Sequence, residues 1–401
     1  MTDARHTRWL TVAALVLTGV VSAAQMFKYA PALPLIRAEL GIGLVAGGWL
    51  ISLANMLGAT VGVAAGLMAD RFGQRRMLLS GLLIFALSTG LGAFAASVPL
   101  LFVSRFFEGC GFLCIVISAA SLIARECQPQ DRSLALTIWG CYNPIGGTLL
   151  LVAAPFVMQA VGWRGLWLAL SVLTLVTLLL VLLARPRARP SGLMPVAISA
   201  NLRLAAAVPG SWLIGASFGL YTLQYIVVMS WLPSVMVETR HMPLGTAGLL
   251  TALAVGVNII GNLIAGWGLK QNIRHGVLIG ATGALMAASA AVIFSDLPDL
   301  WRYLGCISLS LWGGMLPGSV LASVPVLAPS PSQIGAVNGF AVQGSNIGLL
   351  LGPPIAGAIV ALTGTWNNLL LLFLVASAAI MVAGMQLARL EARANRDPHE
   401  A

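Results

Sequence analysis

Three ionisable side chains lie inside apolar stretches of the sequence that are long enough to cross a lipid bilayer. Lys28 is in the first stretch, and Arg105 and Glu108 are together in the fourth. A charge at the centre of a bilayer costs at least about 2.5–3.5 kcal/mol, so ionisable residues within membrane spans are candidates for function by default. The chemistry open to these three is binding of an anion by the two cations and exchange of a proton at the acid.

Each of these side chains also has a structural interpretation. Lys28 would extend to the outer surface, because Pro31 and Pro34 indicate that the helix is ending there. Arg105 and Glu108 are three residues apart, so they share a helix face and would form an ion pair. The functional interpretation assigns Arg105 to the substrate or to a proton-linked network and Glu108 to a proton, because burial favours a neutral carboxyl group. Both interpretations remain open at this point.

Further polar and aromatic side chains occur near the middle of the apolar stretches, and they predict the lining of a substrate cavity. About half of them are expected only to form hydrogen bonds between helices. The candidates are Gln25, Tyr29, Tyr142, Asn143, Tyr221, Gln224, Tyr225, Asn258 and Asn346.

Catalytic and metal-binding patterns are missing from the sequence. The 4 histidines all lie in loops or tails, and the 5 cysteines show no metal-type spacing. There is no nucleophile–base set and no phosphate-binding Gly-x-x-x-x-Gly-Lys-Ser/Thr loop. We therefore expect no enzyme activity, no metal and no cofactor. Any work that the protein does would draw its energy from a gradient.

The composition excludes a soluble globular protein. Of the 401 residues, 59% are hydrophobic and 8% are charged, against about 45–50% and about 25% in a typical soluble domain. Because a spanning helix needs about 20 residues, the apolar stretches predict an all-α integral membrane protein with twelve transmembrane helices. The predicted spans are residues 9–35, 44–67, 77–97, 99–124, 133–160, 163–184, 209–236, 244–269, 275–294, 300–327, 333–362 and 365–388.

The 22 Lys and Arg residues are distributed unevenly around these spans. Most of them lie in the loops and tails on the side of the two termini, which places both termini in the cytoplasm by the positive-inside rule. Because these charges sit in short loops, the net charge of +10 does not indicate a nucleic-acid partner. The first span begins like a secretory signal peptide, but its apolar run continues past the cleavage-like Ser22-Ala23-Ala24, so we expect it to be retained.

A short basic loop between the second and third spans has the spacing Gly-x-x-x-Asp-Arg-x-Gly-x-Arg-Arg. Its first glycine allows close helix packing, its second allows a tight turn, and its charges lie where the chain leaves the bilayer. A loop that is basic only because of the positive-inside rule is the plainer interpretation. The full spacing, however, resembles the signature loop of the major facilitator superfamily of secondary transporters. The residues at these positions are Gly66, Asp70, Arg71, Gly73, Arg75 and Arg76.

Other segments extend this resemblance along the chain. Arg105-x-x-x-Gly109-x-Gly111 in the fourth span is similar to the family's Arg-x-x-x-Gly-x-Gly motif. Residues 140–147 in the fifth span are similar to the Gly-Pro-x-x-Gly-Gly element of antiporters. Asn143 replaces the glycine of that element, and one residue is missing before the glycine pair. This departure leaves the direction of transport open.

The resemblance implies an architecture and a mode of action. It implies two pseudo-symmetric six-helix halves with a substrate site between them at mid-membrane. On this basis we divide the chain into an N-terminal half, residues 1–184, a cytoplasmic linker, residues 185–208, and a C-terminal half, residues 209–401. The resemblance also implies alternating access, gating by the basic loop, and a functional monomer in the bacterial inner membrane.

The balance of buried charges indicates the class of substrate. Two cations against one acid favour a small organic or inorganic anion carried with a proton, and Glu108 is the expected proton acceptor. Within the family, the chain resembles bacterial carriers of small solutes of the cyanate and nitroimidazole type. The alternative is a proton-driven efflux antiporter for drugs or metabolites, although such pumps often have more acid within the membrane. A receptor that has kept the fold is a third interpretation.

Overall fold

The computed structural model describes residues 6–60, 73–187, 206–328 and 334–394, and the regular structure in these ranges is helical. Three short elements are not α-helical: Leu53–Asn55 and Trp366–Asn368 are 3₁₀ turns, and Val235–Thr239 is a π-helical turn. The α-helices are α1 (Trp9–Phe27), α2 (Tyr29–Leu40), α3 (Leu44–Ser52), α4 (Gln74–Ala93), α5 (Val98–Glu126), α6 (Pro129–Gly140), α7 (Tyr142–Ala184), α8 (Pro209–Ser234), α9 (Leu244–Lys270), α10 (His275–Ile293), α11 (Asp299–Gly313), α12 (Met315–Leu327), α13 (Ile334–Thr363) and α14 (Leu369–Ala394).

Many of these helices are long and apolar enough to cross a membrane. By length and composition, 10 segments within the described ranges meet this requirement, and Leu44–Thr60 is a shorter apolar helix. The prediction of an all-α, multi-pass membrane protein is therefore confirmed for the part of the chain that the structure describes. The second predicted span, 44–67, is described only as far as residue 60, since residues 61–72 lie outside the described ranges.

The described residues fall into two compact units. The first draws on the ranges Met1–Gly43, Leu53–Gly192 and Ser230–Ala252, and the second on Leu44–Ser52, Leu193–Met229 and Leu253–Ala401. In the first unit, α1 packs on α5 and α7, and α4 also packs on α5 and α7. In the second unit, α10 packs on α11 and α14, and α3 packs on α13. Both units have a core of buried hydrophobic side chains, as the apolar composition of their helices requires.

The first predicted span differs from expectation around Lys28. The helix is interrupted at Lys28, where α1 ends and α2 begins, and it continues to Leu40. Pro31 and Pro34 therefore do not end it, contrary to the prediction. Pro31 lies in the first turn of α2, where a missing N–H costs no helical hydrogen bond. The helix ends instead at Gly41, whose φ of 64° supplies the left-handed residue common at helix C-termini.

The long helix α7 changes its backbone conformation between the fifth and sixth predicted spans. α7 runs from Tyr142 to Ala184, but Gly162 interrupts it with a φ of 68° and a ψ of 176°. This backbone conformation is open to glycine and strained for other residues. Gly162 thus lies between the predicted spans 133–160 and 163–184.

Close packing between α1 and α7 depends on a glycine. A Cβ atom added at Gly146 would clash with the carbonyl oxygen of Val20 and with Ala23 and Ala24 of α1. Small residues at such positions let helix backbones approach each other in membrane proteins, where dispersion contacts and hydrogen bonds hold helices together. This approach keeps α1, which leads into Lys28, against the rest of the first unit.

The substitution Gly146→Ala is expected to destabilise the protein by about 1–3 kcal/mol, because the added methyl group meets backbone atoms that cannot rotate away. Gly140→Ala is the matched control, since among the described residues no atom of another part of the fold lies within 4 Å of a Cβ added there. The measurement is the melting temperature of the detergent-purified variants. Equal melting temperatures for the two variants would contradict the packing described for α1 and α7.

Candidate functional site

Three buried charged side chains meet in the first unit, and the carboxylate of one of them pairs with the other two. Lys28 comes from the junction of α1 and α2, whereas Arg105 and Glu108 come from α5. Lys28 Nζ lies 2.5 Å from Glu108 Oε1, and Arg105 Nη1 lies 3.0 Å from Glu108 Oε2. The exposed fractions of Lys28, Arg105 and Glu108 are 0%, 1% and 0%. We call these three residues the charge cluster.

The charge cluster decides between two interpretations of Lys28. A lysine that extended to the membrane surface would have an exposed ammonium group, but this one is enclosed by protein and ion-paired. The surface interpretation is therefore wrong for this structure. The expected pairing of Arg105 with Glu108 across one turn of helix is confirmed.

Neutral side chains complete the hydrogen bonds around Lys28. The ammonium group donates to Thr89 Oγ1 of α4 at 3.2 Å and to Gln25 Oε1 of α1 at 3.3 Å, in addition to Glu108. An ammonium group has three N–H donors, and three protein acceptors surround this one. Gln25 is itself held by α7, because its Nε2 atom donates to Thr174 Oγ1. Lys28 therefore has no unused donor in this conformation.

The Thr89 hydroxyl lies at the centre of these contacts. Its oxygen is 3.1 Å from Glu108 Oε1, and it is also hydrogen-bonded to Gln25 Oε1. A hydroxyl group has one proton to donate and can rotate to choose its acceptor. Thr89 can therefore donate to either oxygen while it accepts a hydrogen bond from Lys28.

Aromatic rings enclose the two cations. Lys28 Nζ lies 5.0 Å from the centroid of a Trp167 ring, and Arg105 Cζ lies 4.6 Å from that of Tyr29. The Tyr29 and Trp167 rings meet edge to face, with centroids 5.0 Å apart. Such placements attract a cation to the negative face of the ring. The two cations of the charge cluster are thus buried and covered by aromatic rings.

Contacts between α4 and α5 place Glu108 beside Thr89. Ser104 Oγ of α5 donates to the carbonyl oxygen of Ser88 on α4 at 2.7 Å. Gly111 lets α5 approach α4 closely, because a Cβ atom there would clash with the backbone of Gly81 and Phe85. The family-like motif of the fourth span therefore has a packing role as well as supplying Arg105.

The remaining candidates of the first unit lie in other surroundings. Tyr142 stacks on Trp139, with ring centroids 4.6 Å apart, and the Trp139 ring and the Tyr142 Cβ atom lie against Gly19 of α1. Asn143 is exposed. Of the first-unit candidates, the structure thus brings together Gln25 and Tyr29 with the charge cluster, while it places Tyr142 and Asn143 elsewhere.

The candidates in the second unit form their own polar contacts. Asn258 of α9 donates to Tyr221 Oη of α8 at 3.1 Å and to the carbonyl oxygen of Ser310 at 2.9 Å. Gln224 is buried and accepts a hydrogen bond from Ser377 of α14 at 3.0 Å. These contacts link helices, which is the structural role expected for some of the polar candidates.

Tyr225 and Asn346 have simpler surroundings. The Tyr225 ring lies 5.7 Å from that of Tyr221, and Asn346 donates to the carbonyl oxygen of Val342 in its own helix at 2.9 Å. A substrate role for any candidate in the second unit stays a prediction.

The basic loop is described only in part. Gly66, Asp70 and Arg71 lie outside the described residues. Gly73 precedes α4 with a φ of 86°, a backbone conformation that favours glycine. Arg75 is half-buried and Arg76 is exposed, both in the first turn of α4. The gating role stays a prediction.

Three residues around the charge cluster escaped the sequence analysis: Thr89, Thr174 and Trp167. Threonines within apolar spans commonly bond to their own helix backbone, so neither threonine stands out in the sequence. Trp167 follows Trp163 by one helical turn, and this spacing in an apolar span predicts an ordinary core residue. A search for mid-span hydroxyl groups in predicted neighbouring spans would have found both threonines.

Comparisons with known proteins point to one family. A family model described as "Major Facilitator Superfamily" matches residues 15–343. The "Probable sulfoacetate transporter SauU" of Cupriavidus necator is 24% identical over 408 residues, covering 94% of this chain and 93% of that protein. The "3-(3-hydroxy-phenyl)propionate transporter" of Escherichia coli is 28% identical over 364 residues, covering 87% of this chain and 85% of that protein.

A solved structure shows the same fold. It is a bacterial homologue of the human lysosomal transporter Spinster, in an inward-facing and unoccupied conformation. The TM-score is 0.79 at 16% identity, and the match covers 96% of this chain and 99% of that one.

The ion pairs of the charge cluster predict an asymmetry between two neutralising substitutions. Glu108→Gln leaves two buried cations without a counter-charge, and breaking a buried pair in this way costs about 3–5 kcal/mol. Lys28→Met leaves Arg105 and Glu108 as a balanced pair, so we expect a smaller loss. The measurement is the melting temperature of detergent-purified protein.

Lys270→Met is the control, because Lys270 is the other lysine of the chain and is exposed. It should melt as the unsubstituted protein does. A Glu108→Gln variant as stable as Lys28→Met would show that the carboxylate does not hold the two cations together.

Proposed function

This chain belongs to the Major Facilitator Superfamily, and on that premise we propose that it is a secondary active transporter that carries a small anion together with a proton by alternating access. The family and the relatives are transporters rather than enzymes. The finer parts of the proposal are the anionic substrate, the coupled proton and the twelve-helix arrangement.

Two observations support twelve spans in two six-helix halves. The helical segment Pro129–Ala184 has 56 residues, enough for two spans of about 20 residues, and it is interrupted at Gly162. Leu44–Thr60 supplies the start of another span. The proposed halves are residues 1–184 and 209–401, joined by the linker 185–208. We further propose a monomer in the bacterial inner membrane, as membership of the family suggests. The distribution of basic residues supports the placement of both termini in the cytoplasm.

The observation that supports an anionic substrate is the excess of positive over negative charge in the charge cluster. Two cations share one carboxylate, so the cluster has a net charge of about +1 when Lys28 is protonated. In surroundings of low dielectric constant, an uncompensated charge attracts an ion of opposite sign strongly. The relatives named for sulfoacetate and for a phenylpropionate fit this class, since both solutes are anions near neutral pH.

The hydrogen bonds of Lys28 indicate how it would act on a bound anion. Because its donors are already used by Glu108, Thr89 and Gln25, Lys28 acts through its charge, and direct contact with an anion would require it to exchange a partner. Proton exchange takes place in the same cluster, at Glu108 or Lys28. Arg105 is not a candidate for it, because a guanidinium group keeps its proton in proteins.

A ligand panel tests the anionic substrate. Sulfoacetate, 3-(3-hydroxyphenyl)propionate, nitrate and cyanate are compared with lipophilic cations and neutral drugs by the shift in melting temperature of purified protein. An anion present at 100 times its Kd should stabilise the protein by about 2.7 kcal/mol. In Lys28→Met we expect its affinity to fall by about tenfold or more, equivalent to about 1.4 kcal/mol, because the excess charge is gone. Lys270→Met should bind as the unsubstituted protein does.

Two outcomes would count against the proposal. Stabilisation by lipophilic compounds alone would favour the efflux antiporter instead. An anion that binds equally well to the unsubstituted protein and to Lys28→Met would separate anion binding from the charge cluster.

A further inference from the structure

We propose that Lys28, rather than Glu108, is the group that carries the coupled proton, and that its proton sets the charge that attracts the anion. The inference rests on the proposed function for its role in transport, but the charge state of Lys28 can be tested without any substrate. It replaces the expectation that Glu108 is the proton acceptor.

The count of charges favours Lys28. When Lys28 releases its proton to water, Arg105 and Glu108 remain as a balanced pair and the cluster becomes neutral. When Glu108 instead takes up a proton, Lys28 and Arg105 become two buried cations with no counter-ion. An uncompensated buried charge is costly, and two close cations are worse. The neutral cluster is therefore reached by deprotonating Lys28.

The directions of the hydrogen bonds lead to the same assignment. Glu108 Oε2 faces a donor of Arg105, and Oε1 faces Lys28 and Thr89. A proton added to either oxygen would meet a group that already donates to it. Neutral Lys28, in contrast, keeps two N–H donors for Glu108 and Gln25, and the Thr89 hydroxyl can rotate to donate to the lone pair on Nζ. Both charge states of Lys28 are thus satisfied by the same neighbours.

Among the residues that the structure describes, few other ionisable groups surround Lys28. α5 presents Arg105 and Glu108, and α2 presents Tyr29. The neighbouring side chains of α1, α4 and α7 are the uncharged Gln25, Thr89, Thr174 and Trp167. When Nζ loses one proton, the net charge of this site therefore falls by one unit.

This arrangement couples a proton to an anion through charge alone. With the proton on Lys28, the cluster has an excess positive charge and attracts an anion. After Nζ returns the proton to water and keeps its electron pair, the cluster is neutral and the attraction is lost. By the reciprocity of linked equilibria, a bound anion must favour the protonated lysine to the same extent. A monovalent anion and its proton would then move together without net charge.

The direct test observes the lysine nitrogen. The chain has two lysines, so protein labelled with ¹⁵N-lysine should give two side-chain signals, which Lys270→Arg assigns. We expect the Lys28 signal to change between the ammonium and free-amine positions within the pH range in which the protein stays folded, while Lys270 remains an ammonium group. A Lys28 signal that remains ammonium throughout that range overturns the inference, whatever the substrate.

A transport test links the proton to the anion. In liposomes containing the protein, uptake of sulfoacetate and 3-(3-hydroxyphenyl)propionate is driven either by a pH gradient or by exchange against the same anion inside. Lys28→Arg retains the positive charge but cannot release a proton. We expect its anion exchange to be slower than that of the unsubstituted protein but still measurable, while its pH-driven accumulation falls to the level of protein-free liposomes. Lys270→Arg should keep both activities.

The outcomes separate the inference from the proposed function. Normal pH-driven accumulation by Lys28→Arg overturns the inference while the anion carrier stands. If the unsubstituted protein carries neither anion, the proposed function fails for these solutes, and the nitrogen signal still decides the charge state of Lys28. If Lys28→Arg fails to fold, the same signal in the unsubstituted protein is decisive.

Discussion

Enclosure of two cations around one carboxylate is the constraint on which the first unit depends. Glu108 gives one oxygen to Lys28 and the other to Arg105, and all three side chains are almost completely buried. Buried charges are tolerated only when partners and hydrogen bonds compensate them. Much of the surrounding architecture can be understood as meeting that requirement, because α1, α4 and α7 each contribute a neutral hydrogen-bonding side chain to the network around Lys28.

Packing and charge are connected in this unit. Small residues let α1 approach α7 and let α5 approach α4, which places Thr89 and Gln25 within hydrogen-bond distance of Lys28. Aromatic rings then cover the two buried cations. In such surroundings, the gain or loss of one proton changes the local electrostatics far more than it would in water. A transporter can use that change to bind and release an ion at different stages of its cycle.

The sequence predicts a good deal of this arrangement and misses other parts for identifiable reasons. The long apolar runs predict helical spans, and the spacing of Arg105 and Glu108 predicts their pairing on one helix face. The partner of Lys28 could not be predicted, because the contact joins spans distant in sequence. Pro31 suggested a helix end because it lacks an N–H group. In the structure it lies in the first turn of α2, where no helical N–H is needed, and the helix continues to Leu40. Thr89 was missed because a hydroxyl group in an apolar run usually bonds to its own helix.

The most direct test of the account is whether the purified protein takes up a proton when it binds an anion. Sulfoacetate or 3-(3-hydroxyphenyl)propionate is added to detergent-purified protein in weakly buffered solution near the pH at which Lys28 titrates, and the change in pH is recorded with an indicator dye. We expect proton uptake by the unsubstituted protein and by Lys270→Arg, and none by Lys28→Arg, although that variant still binds the anion. Anion binding without proton uptake in the unsubstituted protein, or equal uptake by Lys28→Arg, would contradict coupling through the charge of Lys28.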